Sequence, residues 1–203
     1  MKPTSKSIVI GVTGIMGAGK STVARVFGEL GAAVIDADAL GKQMLKEGPI
    51  KDGVVAAFGG GVLDAHGEID PARLGKIAFA SSENARNLDA LTREALVSRI
   101  KARIKELRGA SHVIVVDAAL LPEWQAKSWL DVMVVVDAEE GRSVERLTAK
   151  ARFAEADVRA RMGHQLTRAE KSSRADVVIP NHGTLAELEA RAREVFHALV
   201  GPK

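Results

Sequence analysis

Residues 14–21 read Gly14-Ile15-Met16-Gly17-Ala18-Gly19-Lys20-Ser21, the pattern G-x-x-x-x-G-K-[ST]. This octapeptide restricts the fold because it works only between a strand and a helix. Both flanks are present. Residues 7–13 (SIVIGVT) are a β-branched run of the kind found in buried strands. From Lys20 the stretch STVARVFGEL reads as a helix that stops at Gly31. In that setting the loop's backbone N–H groups turn inward around phosphate oxygens, and the helix start adds partial positive charge. Lys20 then reaches the β- and γ-phosphates, and Ser21 can ligate Mg²⁺. The expected nucleotide contacts are Gly14, Met16, Gly17, Ala18, Gly19, Lys20, Ser21 and Thr22, with a purine triphosphate as ligand.

The rest of the chain continues the alternation. Residues 32–37 (AAVIDA), 111–121 (SHVIVVDAALL), 130–138 (LDVMVVVDA) and 175–181 (ADVVIPN) read as further strands. Their Val/Ile runs are continuous, as in a parallel sheet covered on both faces. Helical patterns fill 40–108, broken by the Gly- and Pro-punctuated stretch 58–71, with one amphipathic helix over 88–108. Helices are also expected over 142–173 and in the terminal LAELEARAREVFHALV. The class is α/β: a five-stranded parallel sheet flanked by helices. A chain of 203 residues makes one domain, with its core at 7–39, 110–141 and 174–200. The helical stretch 40–109 is an insertion between strands two and three, too long for a single crossover.

Composition narrows the function classes. Cysteine is absent, which excludes disulfides, thiolate metal sites and a cysteine nucleophile and fits a cytoplasmic protein. The net charge is +3, with no dense Lys/Arg run, and aromatics are only 3%, leaving few platforms for stacking bases. Phosphorylated small molecules are therefore better partners than nucleic acid. No apolar run approaches the ~20 residues of a membrane span, and the N-terminal apolar stretch reads as the first strand rather than a signal peptide. The five histidines show no metal-ligand spacing. No N-K-x-D motif or D-x-x-G switch follows strand three, so a GTPase does not fit, whereas a compact chain with a helical insertion suits a small-molecule kinase.

Three groups of residues are candidates for the chemistry. Asp36 and Asp38 close strand two, where ligands sit in open α/β sheets. Asp38 is either a base for an attacking hydroxyl or the cap of the helix that follows. Asp117 ends the run VIVVD and is either a metal-assisting acid or a turn residue; Asp137, ending strand four, reads as a turn residue. Arg142, Arg146, Lys150 and Arg152 crowd one helical segment, as a phosphoryl clamp or as a solvated face. Gly59-Gly60-Gly61 lacks the Lys-Ser ending and reads as a turn.

Taken together, these residues resemble the dephospho-coenzyme A kinase family. The likeness lies in GVTGIMGAGKSTVARVFGELGAAVIDAD (11–38), FGGGVLDAHGEID (58–70), DAALLPE (117–123), the Arg146-Leu147 helix, Gln165 and ADVVIPNHG (175–183). The resemblance implies a phosphate-loop fold of the nucleoside-monophosphate-kinase type, with an acceptor subdomain at 40–109 and a small lid at 142–173. It implies ATP and Mg²⁺, with transfer of the γ-phosphate to the ribose 3′-hydroxyl of dephospho-coenzyme A in the last step of coenzyme A synthesis, in a cytoplasmic monomer or small homo-oligomer. It makes Asp38 the base, with Lys20 and Arg146 on the phosphates. Ser21 and Asp117 become the metal residues, and Asn181 and Gly183 pass near the adenine. The chain departs from the family pattern at Thr92-Arg93, where His-Pro is usual, at Pro71 in place of Arg, at Ala119 in place of Pro, and at Lys150 in place of a second arginine. Two other readings of the same loop are a kinase of another acceptor, such as a nucleoside monophosphate, and an ATP-binding protein without turnover.

Overall fold

The computed structural model describes residues 7–149 and 154–201. Five parallel strands form one sheet: β1 (Ile8–Thr13), β2 (Ala33–Asp36), β3 (Val113–Asp117), β4 (Val132–Asp137) and β5 (Val177–Pro180). Their order is β2-β3-β1-β4-β5. The strand ends are trimmed by one to four residues from the sequence expectation. Ala118 to Leu121 in particular leave the sheet, because the Ala118 N–H still bonds Val12 but the chain then turns. The order carries one consequence for the site. The strand beside β1 is β3, so β2 lies at the sheet edge and Asp36 pairs in register with Asp117.

Both faces of the sheet are covered, as the continuous apolar strands require. On one face Ile10, Val12, Val115, Val134 and Val136 pack against Val23, Val26 and Phe27 of α1 (Lys20–Glu29) and Leu188, Ala192 and Phe196 of α9 (Leu185–Val200). On the other, Val9, Ile114, Val116 and Met133 meet Ile100 and Ile104 of α5 (Ser82–Leu107). Gly31 ends α1 as expected: its N–H bonds the Gly28 carbonyl and that of Ala32 bonds the Phe27 carbonyl, a Schellman closure.

Between β2 and β3 run α2 (Ala37–Met44), α3 (Gly48–Phe58), α4 (Pro71–Ala78) and α5. This insertion has its own small core of Val54, Val62, Ile69, Leu74 and Ala78. α5 begins six residues before the helix expected over 88–108, because the Ser81 hydroxyl caps it by accepting from the Asn84 N–H. Between β4 and β5 lie α6 (Glu140–Ala149), α7 (Glu155–Met162) and α8 (Arg168–Ser173), three short helices where 142–173 was expected to be helical. Among the described residues, no helix is long and apolar enough to cross a membrane.

Phe27 is fully buried, with its ring 5.2 Å from that of Phe196, and it ties α1 to α9 behind the loop. Phe27→Ala is expected to cost about 3–5 kcal/mol. The check is a drop in urea midpoint at unchanged slope.

Candidate active site

The loop 14–19 leaves β1 and delivers Lys20 to the first turn of α1. Gly14 and Gly19 sit at φ of +150° and +101°, which a side chain resists. A Cβ on Gly14 would overlap the Val136 carbonyl, and one on Gly19 would lie 2.8 Å from Asn181 Nδ2. Met16 is half-buried and lines a cavity next to the loop. Ala18 is buried, and its carbonyl accepts from Asn181. Thr22 sits in the first turn of α1, its N–H on the Gly19 carbonyl.

Lys20 Nζ donates to the Ile15 carbonyl at 3.3 Å, folding the side chain back over its own loop. Burial pushes its ammonium below the usual lysine range, and the nearby carboxylates of Asp117, Asp38 and Glu123 oppose that shift. Asp117, 8% exposed at the end of β3, is pushed up, mainly by burial, against the pull of the Lys20 charge and of the nearby Ser21 hydroxyl. Of the two roles weighed for Asp38, the helix cap belongs to another residue. Asp36 caps α2 by accepting from the Ala39 N–H at 2.9 Å, and Asp38 lies inside the first turn, exposed. Asp38 and Lys20 both line the cavity of about 690 Å³, together with Met16, Phe79, Arg93 and Glu123.

The donor set at Ser21 and Asp117 suits a magnesium ion. It is one hydroxyl and one carboxylate, both hard oxygen donors, at the first turn of α1 and the end of β3. Mg²⁺ takes one or two carboxylates and completes its shell with water and substrate phosphates. Among the described residues no group of three or more His, Cys, Asp or Glu could hold an ion on its own.

Arg146 of α6 is half-buried and donates from Nη2 to Asn181 Oδ1 at 3.5 Å, while its Nη1 is buried without a partner. Arg142 of the same helix bonds the His182 carbonyl. Lys150 and Arg152 lie outside the described residues. Asp137, the last residue of β4 rather than part of a turn, is taken up by a two-pronged pair with Arg168. Gly183 leaves room for Glu187, whose carboxylate returns to the Thr184 N–H in the capping box of α9. A second cavity, about 870 Å³, lies beside Asp137, Arg159 and Arg168; Lys20, Asp38 and Asp117 are not among its lining residues.

The sequence reading missed two features. Lys171 of α8 is 0% exposed, and its Nζ donates to the Ala119 carbonyl at 2.8 Å and to Glu123 Oε1 at 2.6 Å. Thr13 Oγ1 donates to the same Ala119 carbonyl at 2.9 Å, and Leu166 N–H bonds the same Glu123 oxygen at 2.9 Å. The segment 118–123 is thus pinned between β1 and α8. Nothing in RAEKSS marks its lysine as buried. The second feature joins α7 to α4. Arg161 lies 4.7 Å from the Phe79 ring centroid, against the face left bare by Gly75, and His164 stacks on Phe79 at 5.9 Å. The departures at Thr92 and Arg93 also face the cavity, with Thr92 Oγ1 on the Leu88 carbonyl and Arg93 paired with Asp89.

Lys171→Met should destabilise the protein by about 1–3 kcal/mol, because the partly buried Glu123 carboxylate loses its ammonium partner and keeps only the Leu166 N–H. Adding Glu123→Leu is expected to restore much of that loss. Denaturant unfolding of both variants measures it.

The family model for dephospho-CoA kinase matches residues 8–187. A dephospho-CoA kinase of Thermobifida fusca is 38% identical over 191 residues, covering 94% of this chain and 95% of its own. One from Oryza sativa is 36% identical, covering 96% of this chain and 85% of its own. A crystal structure of a Thermus thermophilus protein superposes with a TM-score of 0.76 at 28% identity, covering 97% of this chain and all of the other. Shikimate kinase from Acinetobacter baumannii, at 11% identity and a TM-score of 0.56, shares the fold. Matched by the family model over most of its length and by curated relatives across nearly all of it, the chain belongs to the dephospho-CoA kinase family.

Proposed function

We propose that this kinase moves the γ-phosphoryl group of ATP to the ribose 3′-hydroxyl of dephospho-coenzyme A at the cavity wall shared by Lys20 and Asp38. That shared wall is the observation that carries the reading. A carboxylate relieved of the capping bond lines the same cavity as a phosphate-loop ammonium that feels its charge. Asp38 orients the acceptor hydroxyl and takes its proton as the new O–P bond forms. The bond from the γ-phosphorus to the bridging oxygen breaks in line, and ADP leaves. Loop amides and Lys20 hold the β- and γ-phosphates, and Arg146 offsets charge on the transferring group. Ser21 and Asp117 would hold Mg²⁺, which neutralises phosphate charge when bound.

On this reading 40–109 supplies the acceptor wall, with Thr92 and Arg93 lining the cavity, and 142–173 is the lid. Cytoplasmic action by a monomer or small homo-oligomer accords with it.

Incubation with ATP, Mg²⁺ and dephospho-coenzyme A at substoichiometric enzyme should yield a product one phosphate heavier by mass, and a nucleoside monophosphate in its place should leave ADP release at background. ADP release with the monophosphate and none with dephospho-coenzyme A would assign a different acceptor. Lys20→Ala should lower turnover at least about 10²-fold; undiminished rate would remove the phosphate-site assignment. Asp38→Asn should lower kcat by about 10²–10⁴-fold while nucleotide affinity stays within a few-fold. Loss of affinity alone would make Asp38 a binding residue.

A further inference from the structure

Asn181 follows β5, in the segment that the sequence resemblance passes near the adenine. Its side chain is committed elsewhere. The residue is 4% exposed, and Nδ2 donates to the Ala18 carbonyl at 2.8 Å. A carbonyl only accepts, so that bond fixes which way the amide faces. Oδ1 is thereby turned to the other side, where Arg146 Nη2 donates to it. The backbone N–H of Asn181 bonds the Asp137 carbonyl at 2.7 Å, which anchors the residue from a third direction. The bare α-carbon of Gly19 lets the amide come close, since a Cβ there would sit 2.8 Å from Nδ2.

One buried amide therefore touches both the turn of the phosphate loop and the guanidinium that approaches from α6. A free arginine side chain samples many rotamers, so its aim has to be held by something. Here one nitrogen is held by Asn181, and Nη1 is enclosed with no partner among the described residues, a donor suited to a phosphate oxygen.

We propose that Asn181 is a positioning residue that ties Arg146 to the phosphate loop, rather than a reader of the nucleotide base. This rests on the assignment of Arg146 to the transferring phosphoryl group made above. The task needs a neutral group with one donor and one acceptor. Aspartate keeps the acceptor for Arg146 but sets an oxygen against the Ala18 carbonyl, and leucine keeps the shape and loses both bonds.

The test is steady-state kinetics with ATP and dephospho-coenzyme A on Asn181→Leu, Asn181→Asp, Arg146→Ala and the two double variants. Calorimetric affinity for a non-hydrolysable ATP analogue and thermal melting accompany each. Asn181→Leu should lower kcat about 10–30-fold, with nucleotide affinity changed less than about 3-fold, and should cost nothing further once Arg146 is alanine. Asn181→Asp should lose less, about 3–10-fold, and that loss should also vanish in the Arg146→Ala background. If the leucine variant fails to fold, the aspartate pair carries the test. Effects that multiply in the double variants would overturn the tie. So would a selective loss of ATP over GTP preference at unchanged kcat, which would make Asn181 a base reader. Arg146→Ala at wild-type turnover would instead overturn the clamp on which the tie rests.

Discussion

The site depends on an ammonium set among carboxylates and folded back onto its own loop. Lys20 loses water on entering that position, and Asp117, Asp38 and Glu123 offset part of the loss through charge. Each of these acids arrives by a different route: Asp117 at the end of β3, Asp38 in the first turn of α2, and Glu123 on the segment beyond β3. The sheet order brings the routes together. With β3 seated between β1 and β2, the loop after β1, the acid ending β3 and the helix after β2 open on one edge. Positive charge there serves a polyphosphate only while the acids stay where they are, so packing that holds them also sets the electrostatics of the site.

Much of this was legible in the residues, for physical reasons. The phosphate loop has almost no alternative conformational use, and strands buried on both faces advertise themselves as unbroken Val/Ile runs. Helix ends were less legible. Ser81 draws α5 back toward Ala78 by a single side-chain bond, and no hydrophobic period reveals that. Strand order was not legible either, because a run such as AVID carries no mark of its neighbour. The cap at Asp36 shows how close two readings can lie: two aspartates two residues apart, one spent on the Ala39 N–H and the other facing the cavity.

The polar contacts least visible in the sequence are those that cross between distant segments. Lys171 sits in a short polar helix that resembles any solvated stretch, yet it is fully buried against Ala119 and Glu123. Asn181 likewise looks like a loop residue after a strand. Its partners, Ala18 and Arg146, are separated from it by 163 and 35 positions, so only the fold can bring them together. A family resemblance can mark such residues as worth attention without saying what they touch. Here it placed Asn181 near the adenine, and its side-chain bonds run to the phosphate loop and α6.

The sheet ends at β2 on one side and β5 on the other, each only four residues long. Both present an outward valine, Val34 and Val178, to solvent. Pro180 closes β5 with a residue that has no amide hydrogen to offer. A neighbouring molecule trying to extend the sheet would find a rail of barely two hydrogen-bonding repeats on either rim. The rims deny intruding chains a template, so crowded copies are discouraged from zipping together while the interior strands stay long and apolar.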